Sequence, residues 1–281
     1  MTAKTTRSVR ALAASTFFLA LYAPIGAAAQ SADDDWKFVL TPYLWLPNIN
    51  GTLKYSIPPG TGGSPEVEIG PNDYLTNLNA VLMLAGEARK GKWSLFTDFI
   101  YLDFSAERSS VKSVDFAGTT VGTTIDAGTK TTLKGTVWTL GGGYAMVQTA
   151  GASLDVIGGI RYFGLQATTD WNLSATVVGP PGSLSFPSTG SVSADEDSWD
   201  AIIGARGRIR LGEGHWSVPY YLDAGTGSSS FTWQGLLGVA YSFAWGDVTL
   251  AYRYLYYDEK NSKLIQDLYF NGPALGATFR F

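Results

Sequence analysis

The sequence predicts an all-β fold: a transmembrane antiparallel up-and-down β-barrel of about ten strands, preceded by a cleaved leader. Three observations predict it. The N-terminus is of secretory type, the composition is rich in aromatics and glycine but poor in charge, and apolar and polar side chains alternate in segment after segment.

The leader comes first. Lys4, Arg7 and Arg10 form a positive opening, and residues 11–25 are an apolar stretch of secretory-signal length. Ala27, Ala28 and Ala29 supply the small residues that a signal peptidase reads. Cleavage after Ala29 divides the chain into a signal peptide, 1–29, and a barrel, 30–281. A membrane helix needs roughly 20 apolar residues, and Pro24 and Gly26 interrupt this run.

Cysteine is absent, which excludes disulfides, thiolate metal sites, cysteine nucleophiles and a lipid-anchored N-terminus. Removing Lys4, Arg7 and Arg10 with the leader leaves 17 basic and 24 acidic residues, a net charge of −7. That balance argues against a nucleic-acid partner. Aromatics make up 14% of the chain and there are 33 glycines, but only 16% of residues are charged, against about a quarter in a soluble domain. No later segment has the length of a membrane helix, and a closed barrel is the other structure a bilayer permits.

The strands follow in order, on the rule that residues i and i+2 share a face. In 36–46, Trp36, Phe38, Leu40, Leu44 and Leu46 oppose Lys37, Thr41, Tyr43 and Trp45. In 78–90, Ala80, Leu82, Leu84 and Ala88 oppose Glu87 and Arg89. In 93–104 the pattern is least clean, because Asp98 and Asp103 fall on opposite faces; a bulge, or a place for Asp103 above the membrane, reconciles them. In 131–148, Trp138, Leu140, Tyr144 and Met146 oppose Thr139, Gly141, Gly143 and Ala145. In 152–170, Leu154, Val156, Ile160 and Tyr162 oppose Asp155, Gly159 and Arg161.

In 199–211, Ala201, Ile203, Ala205, Ile209 and Leu211 oppose Asp200, Gly204, Arg206, Arg208 and Arg210; a helix would scatter these arginines around its circumference. Strand 215–224 places Asp223 inward. In 230–244, Trp233, Leu237, Val239, Tyr241 and Phe243 oppose Thr232, Gln234, Gly238, Ala240 and Ser242. In 247–257, Val248, Leu250, Tyr252, Tyr254 and Tyr256 oppose Asp247, Thr249, Ala251 and Arg253. The last strand is 268–281, with Arg280 inward.

Loop lengths set the orientation, since barrels of this class have short periplasmic turns and long extracellular loops. The tight turns are 90–92, 149–151, 212–214 and 245–246, and the long connections are 47–77, 105–130, 171–198 and 258–267. A shorter connection, 225–230, falls on the loop side, and both termini fall in the periplasm. Segments 51–57 and 111–125 also look strand-like; as hairpins above the membrane they leave ten strands, and as wall strands they make twelve. Aromatics gather at strand ends, at Trp36, Trp93, Trp216, Trp245, Tyr254, Tyr256 and Tyr269, as interfacial girdles do.

The chain closes LGATFRF, with Leu275, Ala277, Phe279 and Phe281 on one face. This resembles the C-terminal signal by which Gram-negative outer-membrane proteins are presented to the barrel-assembly machinery. Residues 36–47 (WKFVLTPYLWLP), 91–98 (GKWSLFTD) and 246–254 (GDVTLAYRY) resemble a family of outer-membrane β-barrel proteins, OmpA/OmpW-like in general architecture, for which no activity is agreed. The resemblance runs through nearly all of the mature chain. It implies the Gram-negative outer membrane as location, with its lipid and lipopolysaccharide as surroundings, and it brings no activity.

Catalytic chemistry is sparse. Ester hydrolysis by a serine needs a histidine base, and the one histidine, His215, falls at a periplasmic turn beside Trp216 with no serine placed by motif. The reading is therefore not an enzyme. Asp195, Glu196, Asp197 and Asp200 end a long loop without the central glycine and distal glutamate of a calcium loop, and read as solvated acids. Asp33, Asp34 and Asp35 read as a soluble lead-in to the first strand. No phosphate loop, dinucleotide motif or zinc pattern is present, and no cofactor is expected.

The inward charges carry the functional reading. Lys37, Glu87, Arg89, Asp98, Asp155, Arg161, Asp200, Arg206, Arg208, Arg210, Asp223, Asp247, Arg253 and Arg280 all map to the lumen. In one reading the arginine row lines a narrow channel for small solutes and favours anions. In the other, acids and bases pair and hold a closed structural barrel, whose long loops contact lipopolysaccharide or a partner. Barrels of about eight strands are filled by side chains and those of 16–18 leave a channel, so ten lies nearer the filled limit.

Overall fold

A computed structural model describes residues 35–53, 66–75, 78–106, 114–116, 119–121, 130–172, 176–179, 182–185, 189–259 and 265–281. The leader, Asp33 and Asp34 lie outside these residues, as does 54–57 of the first ambiguous segment.

The wall consists of β1 (Lys37–Trp45), β4 (Leu78–Lys90), β5 (Trp93–Ala106), β8 (Lys130–Gln148), β9 (Ala152–Asn172), β12 (Thr189–Arg210), β13 (Trp216–Gly227), β14 (Ser229–Ser242), β15 (Gly246–Glu259) and β16 (Ile265–Arg280). Each pairs antiparallel with its neighbour in this order. Pairing of β1 with β16 closes the barrel. The closure leaves the wall no free edge, which is what a bilayer demands of a sheet.

The ten-or-twelve question has a geometric answer. β2 (Asn48–Leu53) resumes the line of β1 after Leu46 and Pro47 and pairs with the far half of β16; β3 (Glu66–Ile69) pairs only with β2. The sheet therefore counts twelve strands, but the wall is ten. β6 (Val114–Phe116) with β7 (Thr119–Val121), and β10 (Thr176–Gly179) with β11 (Gly182–Ser185), form separate two-stranded sheets. α1 (Pro71–Tyr74) is a single turn.

Two expectations need correction. Residues 171–198 are not one long loop: β9 runs on to Asn172, and β12 starts at Thr189. Asp195, Glu196 and Asp197 sit in β12, opposite Gln166, Leu165 and Gly164. The Ser, Thr and acidic residues there read as loop, yet the ladder is made by backbone groups, and β9 supplies a partner for each. At 21 and 22 residues, these strands are about twice the 9–11 residues that cross a bilayer. The 225–230 connection likewise shrinks to Ser228 between β13 and β14.

The irregular strand resolves at its neighbour. The β5–β8 ladder is unbroken from Trp93 to Ala106, and the register shift lies in β4 between Leu78 and Ala80. Asp103 keeps the outward parity, accepts a hydrogen bond from Asn79 (3.0 Å) and pairs with Lys134 (3.5 Å).

The outer surface is an apolar belt. Leu82, Leu95, Ile203, Leu222, Leu237, Leu250 and Leu275 are all exposed on it. Such a surface suits hydrocarbon and would be unfavourable in water. Rings border the belt at both ends. Near the short turns, Trp216, Tyr241, Phe243, Trp245 and Phe279 form a chain with centroids 4.8–5.5 Å apart. Towards the opposite end, Trp138, Trp199 and Tyr162 make one cluster, and Trp233, Tyr254 and Tyr269 another. Two of the short turns use glycine where φ is positive, Gly91 (56°) and Gly212 (63°), a conformation open to glycine at little cost.

Candidate functional site: the barrel lumen

The lumen is best followed along the strands from their short-turn ends. Asp247, the second residue of β15, is fully enclosed and takes both Arg208 (2.7 Å) and Arg280. Lys37 and Arg210 sit exposed on the same rim and pair with no carboxylate among the described residues.

The next group is a four-membered ionic cluster. Arg89 pairs with Glu87 (2.9 Å) and grips both oxygens of Asp155. Arg206 reaches Glu87 (3.0 Å) and Asp155 (3.6 Å), donates to the Ser94 hydroxyl (3.1 Å) and lies 4.3 Å over the Phe96 ring. Period two delivers these groups: each is the inward residue of its strand, and the four come from β4, β9 and β12.

Farther along, Arg253 pairs with Asp98 (2.8 Å), donates to Gln234 (2.8 Å) and to the Tyr43 hydroxyl (3.0 Å), and stands 4.9 Å over Trp45. Tyr43 in turn donates to Asp98 (2.6 Å). Arg161 pairs with Asp223 at full burial, and Tyr221 donates to the same carboxylate. Asp200 accepts from the Ser229 amide (2.9 Å) and hydroxyl. Pairing matters here, because an isolated buried charge costs several kcal/mol and a partner offsets that cost.

Beyond these groups the lumen turns apolar. Trp45, Met83, Ile100, Leu102, Phe104, Leu133, Val137, Phe163, Leu255, Tyr257 and Leu268 are buried together, with Phe163 and Tyr257 stacked at 4.5 Å. The sequence reading missed this plug. It followed polar inward residues, and here the inward residues are themselves apolar. A signal was available in β5: Ile100, Leu102 and Phe104 share the parity of Asp98 and so point where it points.

Some space remains among the described residues. A cavity of about 210 Å³ lies among Glu87, Phe96, Asp98, Arg206, Tyr221 and Arg253. One of about 50 Å³ lies inside the plug. A third, of about 370 Å³, opens at the short-turn end beside Arg208, Arg210 and Arg280. His215 stands exposed at the β12–β13 turn, its ring 5.5 Å from Tyr241. Among the described residues no three of His, Asp and Glu stand together as a metal site.

The closing residues Leu275, Phe279 and Phe281 are exposed on the outer face, and Ala277 half-buried between them. Phe281 exchanges two backbone hydrogen bonds with Phe38 (2.9 and 3.1 Å), which extend the β1–β16 ladder that closes the barrel.

A closed antiparallel barrel with an apolar outer belt, aromatic borders and ion pairs inside is an outer-membrane β-barrel in architecture. The outer membrane protease OmpT from Escherichia coli has the same fold: TM-score 0.57 at 11% identity, over 90% of this chain and 99% of that one. The translocator domain of the autotransporter NalP from Neisseria meningitidis matches at TM-score 0.38 and 17% identity, over 88% of each chain. Ail of Yersinia pestis, in complex with the heparin analogue sucrose octasulfate, matches at TM-score 0.32 and 12% identity, over 88% of this chain and 98% of that one. No family model and no curated protein sequence matches the chain.

Proposed function

We propose that the protein is a closed barrel of the Gram-negative outer membrane, delivered by a cleaved signal peptide and working through the surface it presents rather than through its lumen. In this reading the short turns and termini face the periplasm, and the long β9 and β12 ends stand outside with the remaining loops. Lipopolysaccharide and outer-membrane lipid surround it, the barrel-assembly machinery inserts it, and His215, at the periplasmic end, has no catalytic part.

One observation carries the reading. The apolar plug around Phe104, Phe163, Leu255 and Tyr257 fills the lumen, and those four side chains are at most 1% exposed. Ions do not cross a dry apolar constriction readily. The ionic groups below it agree: four lumen arginines, Arg89, Arg161, Arg206 and Arg253, spend charge on carboxylates rather than on a solute. The test is swelling of vesicles containing the refolded protein in isosmotic sugars and amino acids. A closed barrel swells no faster than protein-free vesicles; size-dependent swelling would restore the narrow solute channel.

A further inference from the structure

The short-turn cavity of about 370 Å³ is not accounted for by closure of the lumen. Its wall brings together the ends of four strands and one turn: Arg208 and Arg210 from β12, Ser217 from β13, Ser242 from β14 and Arg280 from β16, under the turn that holds His215. The turn is fixed across the mouth by backbone bonds from Leu211 to Trp216 (2.9 Å) and from Ser242 to His215 (2.9 Å).

The charges here do not balance. Arg208 and Arg280 converge through one nitrogen each on a single oxygen of Asp247. Arg210 adds a third guanidinium with no carboxylate partner among the described residues. Against these three stand Asp247 and, on the turn, Glu213. Two guanidiniums held at one carboxylate oxygen repel each other, and each keeps most of its fork of donors.

A second observation points to a ligand. Ser217 lines the same cavity, its residue is only 3% exposed, and its hydroxyl has no hydrogen-bond partner among the described residues. A buried hydroxyl without a partner is unfavourable, and such groups are usually satisfied by something that fills the space beside them.

The geometry points to an anion site in this cavity that takes a phosphate oxyanion. Arg208, Arg210 and Arg280 supply the charge, and Ser217 a neutral donor. A phosphate presents three or four acceptor oxygens in an arrangement that several guanidinium forks can share, whereas chloride presents a single sphere. The phosphate can arrive free or on a small solute, or as the headgroup of a phospholipid in the adjoining leaflet; the chemistry of capture is the same. This inference does not depend on the plug and survives if the lumen conducts.

The probe is inorganic phosphate, titrated calorimetrically into the full-length mature protein in a zwitterionic detergent, with chloride at matched ionic strength as the control. The same preparation is examined by native mass spectrometry after extraction from membranes containing phosphatidylglycerol. Arg210→Gln is the main variant, since it removes no ion pair seen here, and Ser217→Ala is the second. Heat-modifiable gel mobility certifies that each variant is folded.

Saturable one-to-one phosphate binding that weakens by about tenfold or more in both variants supports the site with a free or solute phosphate. Retained phosphatidylglycerol that is lost from both variants supports it with a lipid headgroup. Heat no greater than with chloride, together with lipid retention that the variants leave unchanged, overturns it.

Discussion

Arg161 and Asp223 meet inside the barrel with neither side chain exposed to solvent. They come from β9 and β13, 62 residues apart in sequence, and Tyr221 donates to the same carboxylate. Replacing Asp223 by Ala leaves a buried guanidinium whose remaining hydrogen bonds among the described residues are to the Thr139 and Thr232 hydroxyls at 3.4 Å. The expected loss is about 3–5 kcal/mol, as for other broken buried pairs. Urea unfolding in lipid vesicles measures it. The Arg161→Met, Asp223→Leu double variant should lose less than Asp223→Ala alone, because no charge is stranded.

Arg206 and Arg208 lie two residues apart on one face of β12 and differ in what they leave behind. Arg206→Ala weakens a cluster in which Arg89 alone must serve Glu87 and Asp155. Arg208→Ala leaves Asp247 still paired with Arg280. The first should therefore destabilise the barrel clearly more than the second, and neither should create a conductance. Equal stability for both variants, with altered ion selectivity, would mean that the row lines a pore.

Phe163 stacks on Tyr257 and is 1% exposed. Phe163→Ala should cost about 3–5 kcal/mol, the range for aromatic truncation in a packed core. Combined with Phe104→Ala it should also admit water and produce a leak that the parent protein lacks. Vesicle permeability reports the leak, and unfolding midpoints report the stability.

Gly141 and Gly159 are register partners on β8 and β9. A Cβ at Gly159 would stand 2.3 Å from the Leu140 carbonyl oxygen and 2.6 Å from the Gly141 Cα, both backbone atoms. Gly159→Ala should therefore cost about 1–3 kcal/mol, as overpacking does. At Gly142, one residue along and on the opposite face, the nearest atom is 3.7 Å away, and Gly142→Ala should be near neutral. The pair separates loss of space from loss of glycine as such.

Phe281 has an exposed side chain, while its backbone is bonded to Phe38. Phe281→Ala keeps those two bonds and should refold in vitro like the parent. If the terminal aromatic is the assembly signal that its pattern resembles, the same variant should accumulate poorly in the outer membrane of cells. Membrane fractionation reads the difference.

The wall was legible because its physics repeats every two residues. Where one face meets lipid and the other meets charge, as in 199–211, the alternation Ala201, Ile203, Ala205 against Asp200, Gly204, Arg206 locates strand and faces together. The plug was not legible by that contrast, since its inward residues Ile100, Leu102 and Phe104 are apolar and the charged residue among them, Asp103, faces the other way. The extension of β12 back to Thr189 was hidden for a different reason. Outside the membrane no apolar face is required, so only the backbone ladder to β9 marks the strand. The lumen charges could be placed on a face one strand at a time. Which carboxylate meets which arginine depends on how distant strands come together across the lumen, and Arg253 of β15 meeting Asp98 of β5 is an example.

Closure is the central claim, and single-channel recording of the refolded, heat-modifiable protein in a planar bilayer tests it most directly. The account predicts a silent bilayer at either polarity and across a range of salt. Stable ohmic steps with anion preference, abolished or reversed by Arg206→Ala, would contradict it and make the arginine row the lining of a pore.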